Sequence, residues 1–171
     1  TSLCSTETAN MALLGYGSKA FTISLIENAI KVSGGKVGCD TLTRIIDMGK
    51  SLLNMPATPL PGVAQTLKAL RGGKQKMVVF TKGELLEQEY KLNRSGLLPL
   101  FDHSVILSNK DEEAYLQLCN QLGIKPSEML AVGNSFKSDI APALHIGASA
   151  IHIPFHVVWQ LERSEEFDHE R

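Results

Sequence analysis

Along most of this chain, short apolar runs of strand length alternate with stretches whose apolar residues recur at helical spacing. Val63 to Leu70 has the helical spacing, and Met77 to Phe80 is a continuous apolar run ending at Thr81. Leu85 to Leu92 and Ala114 to Leu122 again read as helices, with the strand-like Val105 to Leu107 between them. Met129 to Val132, Ile140 to Ile146 and Ala150 to Ile153 complete the series as strand, helix and strand. Strands separated by helix-length connections pair in parallel with right-handed crossovers. The pattern therefore predicts an α/β fold, a three-layer Rossmann-like sandwich around a parallel sheet.

Residues 1–57 differ. Phe21 to Val32 and Leu42 to Leu53 carry apolar residues at helical spacing on either side of Ser33-Gly34-Gly35, which predicts two packed helices and no strand. Pro56, Pro59 and Pro61 disfavour both helix and central strand, so the segment ending at Gly62 reads as a junction. The expected organisation is a helical part over 1–57 and an α/β part over 58–171.

In open parallel sheets the groups that do chemistry collect beyond the carboxyl ends of the strands. Three polar clusters stand at such ends: Thr81-Lys82-Gly83, Ser108-Asn109-Lys110 and Gly133-Asn134-Ser135, the last followed by Asp139. Each suits a phosphate in its own way. Thr81 offers a hydroxyl, with the Lys82 and Gly83 amides at the start of the next helix as an anion cradle. Lys110 is a point charge for oxygens during phosphoryl transfer. Asn134 and Asp139 are oxygen donors of the kind that suits Mg²⁺. Plainer roles exist for each: Thr81 as a helix N-cap, Lys110 as a solvated lysine before Asp111-Glu112-Glu113, and Gly133-Asn134-Ser135 as a capped turn. Three clusters in order at strand ends are what favours the chemical reading.

Composition narrows the class. A chain of 171 residues with formal charge −1 can bury a core but has no basic surface for nucleic acid or anionic lipid. Cys4, Cys39 and Cys119 are scattered without a Cys-x-x-Cys pair, as reduced thiols in a cytoplasmic protein would be. No apolar stretch approaches a membrane span or a signal-peptide core. His152 and His156 have the spacing of helical zinc ligands, but Pro154 between them argues for a strand end and loop. Gly34-Gly35-Lys36 and Gly72-Gly73-Lys74 lack the Ser or Thr that would complete a P-loop.

Val78-Val79-Phe80-Thr81, Ser108-Asn109-Lys110-Asp111 and Ala131 to Ile140, read Ala-Val-Gly-Asn-Ser-Phe-Lys-Ser-Asp-Ile, together resemble the second, third and fourth motifs of the haloacid dehalogenase (HAD) superfamily of hydrolases. The likeness spans about residues 59–159. Residues 1–57 resemble the small helical cap that many members carry between the first and second motifs. Gly15 to Thr22 is similar to the start of such a cap in a bacterial phosphatase-like branch, and His152 to His156 with Trp159 is similar to that branch's ending. The resemblance implies hydrolysis of a small phosphorylated metabolite with Mg²⁺ through a phospho-aspartyl intermediate, with no nucleic-acid or membrane partner; a homo-oligomer is compatible with it. Thr81 would bind phosphate with Lys82 and Gly83, Lys110 would orient nucleophile and phosphate, and Asn134 and Asp139 would serve the metal. Asn134 stands where the family more often has Asp, which removes one negative charge from the ion's site.

The family's first motif is a strand ending in Asp-x-Asp, whose first Asp is the nucleophile. No Asp-x-Asp occurs in this chain, and Asp40, Asp47, Asp102 and Asp111 lack its context. The expectation is that the nucleophile segment lies upstream of Thr1, and that a sheet without it shows a gap, a swapped strand or a different order. Two alternatives remain: a catalytically silent phosphate-binding or regulatory module, and a 2-haloacid dehalogenase, which would need no metal.

Overall fold

The computed structural model describes residues 1–155 and divides into two compact units, Thr1–Ser108 and Asn109 onward. His156, Trp159 and the charged stretch Glu162 to Arg171 lie outside the described residues.

The first unit opens with three helices, α1 (Ser2–Leu14), α2 (Ser18–Val32) and α3 (Cys39–Leu53), of which α1 packs on α2 and α2 on α3. The apolar spacing predicts only the second and third. The first escapes that reading because it meets α2 largely through small polar side chains. Thr6 and Ser24 are both buried. The Asn10 amide donates to the Ser24 hydroxyl at 3.1 Å and to Glu27 at 2.8 Å, and the Ser2 hydroxyl donates to Asn28 at 2.7 Å. Such an interface satisfies its polar groups internally and leaves no apolar stripe in the sequence.

After the proline-rich junction come α4 (Val63–Arg71), β1 (Val78–Lys82), α5 (Leu85–Ser95) and β2 (His103–Leu107). β1 and β2 pair in parallel, in register from Val78↔His103 to Lys82↔Leu107. Their amino ends are fastened by Asp102, which accepts from the Met77 N–H at 2.8 Å and from the Arg71 guanidinium at 2.6 Å. The Met77 amide, followed by Arg71, holds this carboxyl below the usual Asp range. Asp102 thus sits at the opposite end of the strands from Thr81.

In the second unit, α6 (Glu112–Leu122) precedes β3 (Leu130–Gly133), and α7 (Ala141–His145) precedes β4 (Ser149–His152). β3 and β4 are again parallel, from Leu130↔Ser149 to Gly133↔His152. Tyr115, Leu118 and Cys119 of α6 are buried with Ala131, Ile140, Ala143 and Ala148. The helix expected over Ile140 to Ile146 is α7, entered through a π turn, Phe136–Ile140, that the apolar spacing does not announce. Pro142 stands in the first turn of α7, where its missing N–H costs no helical bond.

The architecture is a Rossmann-type α/β fold with parallel strands. The alternation predicts one sheet, and the missing first-motif strand an interruption in it; the strands form two parallel pairs, β1–β2 and β3–β4, and no ladder joins the pairs among the described residues. Hydrophobic patterning marks a strand but does not name its neighbour.

Candidate active site

The second unit brings two of the expected residues together. β3 ends at Gly133, and the chain turns through Asn134 and Ser135 into the π turn. Asp139 closes this turn on itself: its N–H donates to the Ser135 carbonyl at 2.7 Å, and its Oδ2 accepts from the Ser135 N–H at 2.9 Å. The Ser135 hydroxyl caps the turn by accepting from the Ser138 N–H at 3.1 Å. The other carboxylate oxygen, Oδ1, lies 2.5 Å from Lys110 Nζ, and the two side chains are only 15% and 8% exposed. Lys110 is therefore no solvated lysine. Asp111 beside it takes the capping role for α6, accepting from the Ala114 N–H at 3.0 Å.

Three neighbours that the sequence pattern does not announce hold this pair in place. Gly133 leaves room that any side chain would fill, since a Cβ there would overlap the Asp139 carboxylate. Tyr115, buried in α6, donates its hydroxyl to the Asp139 carbonyl at 3.1 Å, and Lys110 Nζ lies 5.7 Å from the centre of its ring. Burial, and after it the Asp139 charge, pushes the Tyr115 phenol far above its ordinary value, so it remains a neutral donor. His152 Nε2 is 3.1 Å from the Asn134 carbonyl; a carbonyl can only accept, so Nε2 carries the proton and steadies the turn. That contact gives His152 a role other than the zinc ligand its spacing with His156 suggested.

Thr81, Lys82 and Gly83 belong to the first unit. Thr81 is the penultimate residue of β1, and its hydroxyl is 3.5 Å from Gln88 Oε1. It is not the N-cap of α5: Glu84 is, with its carboxylate accepting from the Leu86 and Glu87 amides. Gly83 corrects the cradle expected at this strand end. Its N–H donates to the Leu107 carbonyl at 2.9 Å, prolonging the β1–β2 ladder, and an amide bound in a ladder has nothing left for an anion. The Lys82 ammonium stands 4.3 Å from the centre of the Tyr16 ring. Thr81 and Gln88 line a cleft of about 500 Å³ whose wall also includes Ser18, Leu52, Met55 and Leu92.

The donors at the β3 end fit a hard cation. Asp139 supplies a carboxylate and Asn134 an exposed amide; Mg²⁺ takes one or two carboxylates, with waters and substrate phosphate completing its shell. Both Asp139 oxygens already accept one hydrogen bond, and each keeps a second lone pair. Among the described residues no three His, Cys, Asp or Glu side chains come together to hold a metal ion, so a cation here would rest on Asp139 and the Asn134 amide. Of the other described aspartates, Asp40 and Asp47 lie exposed on α3, Asp102 is tied to Met77 and Arg71, and Asp111 caps α6. None has the setting of a nucleophile.

A family model described as haloacid dehalogenase-like hydrolase matches residues 5–147. Among curated relatives, a glyceraldehyde 3-phosphate phosphatase of Methanopyrus kandleri is 31% identical over 101 residues, covering 56% of this chain and 43% of the relative. A pyrimidine 5′-nucleotidase of Escherichia coli is 30% identical over 105 residues, covering 58% of this chain and 46% of its own. The chain spans less than half the length of these curated relatives. A solved haloacid dehalogenase-like family hydrolase from Xanthomonas campestris superposes with a TM-score of 0.86 at 32% identity, over 89% of this chain and 65% of that one.

Proposed function

The chain belongs to the haloacid dehalogenase-like hydrolase family, and from that premise we propose that it serves a Mg²⁺-dependent phosphatase acting on a small phosphate monoester. The observation that carries this reading is the buried Lys110–Asp139 pair, anchored by the Gly133-Asn134-Ser135 turn. A lysine ammonium is seldom taken out of water without a task, and here it is held beside the candidate metal ligands. Residues 1–57 act as the cap that governs entry, and residues 58–171 as the core.

In this scheme the Thr81 hydroxyl donates to a phosphate oxygen, with the Lys82 charge nearby in sequence. Lys110 neutralises the phosphoryl oxygens and orients the nucleophile, while its bond to Asp139 keeps the ammonium from swinging away. Asn134 and Asp139 would hold Mg²⁺, which when bound neutralises charge developing on the phosphoryl group. The nucleophile is an aspartate outside these 171 residues, since no Asp-x-Asp pair occurs among them. Its carboxylate oxygen bonds to phosphorus as the ester P–O bond breaks, and the leaving oxygen takes its proton from the second acid of that motif. Water then attacks the phospho-aspartate, releasing phosphate and restoring the carboxylate. The setting we infer is cytoplasmic, the three cysteines remaining thiols; no described helix is long and apolar enough to cross a membrane.

Asn134 favours a second reading, a silent phosphate-binding module, because an amide there leaves the cation one charge short. The complete gene product, assayed with an aryl phosphate, glyceraldehyde 3-phosphate and a pyrimidine 5′-nucleotide, decides between them. Turnover of at least one ester with Mg²⁺, abolished by chelator and by Thr81→Ala, supports the phosphatase. Phosphate binding without turnover supports the module, and chloride release from a 2-haloacid would point to dehalogenation.

A further inference from the structure

The most buried carboxylate of the first unit lies outside the proposed chemistry. Glu87, on α5, is 4% exposed, although an acidic residue in the first turn of a helix ordinarily faces water. Its side chain caps a helix other than its own. α2 begins after Gly17, which has no side chain with which to cap it, and Glu87 supplies the missing acceptor from 69 residues away. Oε2 accepts the Ser18 N–H at 2.7 Å, Oε1 accepts the Ser18 hydroxyl at 2.9 Å, and Lys91 Nζ balances the charge at 2.7 Å. A carboxylate at this place satisfies an orphan amide and meets the positive end of the α2 dipole.

Gly17 fits this arrangement and little else would. Its φ of 122° is one that side-chain-bearing residues rarely adopt, and a Cβ there would press on Glu87 Oε2 at 3.0 Å and Glu84 Cβ at 3.1 Å. Two outer contacts join the same segments: Lys19 to Glu84 at 3.3 Å, and Lys82 to the Tyr16 ring. Residues 16–19 are thereby tied to residues 82–91, directly after the strand that carries Thr81. Ser18, Glu87, Thr81 and Gln88 all line the cleft of about 500 Å³.

We infer that Glu87 is a positioning residue: it clamps the first turn of α2 to α5 and so fixes the wall of the cleft that faces the part of a substrate beyond its phosphate. The clamp is a property of the fold; its effect on substrate rests on the reading of Thr81 as a phosphate ligand. A clamp of this kind governs recognition of the leaving group rather than of phosphate itself.

The test uses the complete gene product and its Glu87→Gln, Gly17→Ala and Ser18→Thr variants. Glu87→Gln keeps the shape and removes the charge; Gly17→Ala displaces the carboxylate without altering it; Ser18→Thr keeps both donors. With the first two, amide exchange in peptides covering residues 16–22 should rise about tenfold or more, the loss of a charge-assisted hydrogen bond, while β1 and β2 peptides keep their protection. KM for an aryl phosphate should rise about fivefold or more, and inhibition by inorganic phosphate should stay within about twofold. Ser18→Thr should match the wild type in both. Unchanged exchange over 16–22 in both disruptive variants overturns the inference, as does uniform loss of protection across residues 1–108 or an equal shift in KM and phosphate inhibition. A wild type that hydrolyses no phosphate ester defeats the phosphatase reading alone, because the exchange comparison still decides the clamp.

Discussion

Replacing Lys110 by Met should destabilise the protein as well as silence it, and the size of the loss follows from the pair's surroundings. Lys110 and Asp139 are 8% and 15% exposed and 2.5 Å apart, so removing the ammonium leaves a carboxylate mostly out of water, with the Ser135 N–H still donating to it. Breaking a buried pair from one side costs about 3–5 kcal/mol; the surviving Ser135 bond and the residual exposure of Asp139 place this case near ~3 kcal/mol. For a chain of this size that is a fall in melting temperature of about 6–12 °C. Asp139→Asn should be costly in the same way, because it removes the carboxylate charge that faces the ammonium. In Lys110→Met/Asp139→Asn neither charge remains, so the double variant should lose about 2 kcal/mol less than the sum of the singles. Thermal and urea unfolding of all four proteins in chelator gives this coupling energy without a cation substituting for the lysine. A coupling of about 0.5 kcal/mol or less, the value of an exposed ion pair, would refute the buried geometry on which the site is built.

Other consequences are as specific. Gly133→Ala should cost about 1–3 kcal/mol and most of the activity, since the added methyl must displace the Asp139 carboxylate; unfolding and turnover measured together check it. Burial alone would raise the Glu87 carboxyl, but the Lys91 and Ser18 donors outweigh it and hold it below the ordinary 4.5. Its contribution to stability is therefore complete above pH 4.5 and is lost as the pH falls through the lower folded value, so urea midpoints should decline more steeply with acid in the wild type than in Glu87→Gln. Tyr115 should resist ionisation until alkaline unfolding, visible as a one-tyrosine increment of phenolate absorbance that comes only with loss of helix signal and is missing from Tyr115→Phe, which keeps the absorbance of the other two tyrosines.

The strands and the polar residues at their ends were legible because a parallel strand is apolar and stops at a turn; Met77 to Phe80 and Met129 to Val132 lie within two residues of β1 and β3, although Leu130 and Val132 of β3 are 56% and 55% exposed. What stayed hidden is polar and local. α1 packs through Thr6 and Asn10, which no apolar periodicity records. The π turn is closed by the Ala141 N–H returning five residues to the Phe136 carbonyl, just before Pro142. Glu87 reads as a surface residue because nothing near it in sequence shows that its partner is Ser18. Gly83 reads as an anion donor because the ladder's last bond, to Leu107, depends on register. Thr81 and Lys110 stand out in the sequence by type and position, whereas the burial that distinguishes Lys110 from an ordinary lysine emerges only from the packing around Asp139.

The central claim is that these residues serve an aspartate nucleophile in phosphate-ester hydrolysis. It is tested most directly by quenching the complete gene product during turnover of an aryl phosphate with Mg²⁺, reducing any acyl phosphate with borohydride, and mapping the modified residue by mass spectrometry. The account predicts modification of one aspartate that is none of Asp40, Asp47, Asp102, Asp111, Asp139 or Asp168, and its disappearance in Lys110→Ala. Modification at one of those six, or steady turnover with no modified aspartate, would contradict it.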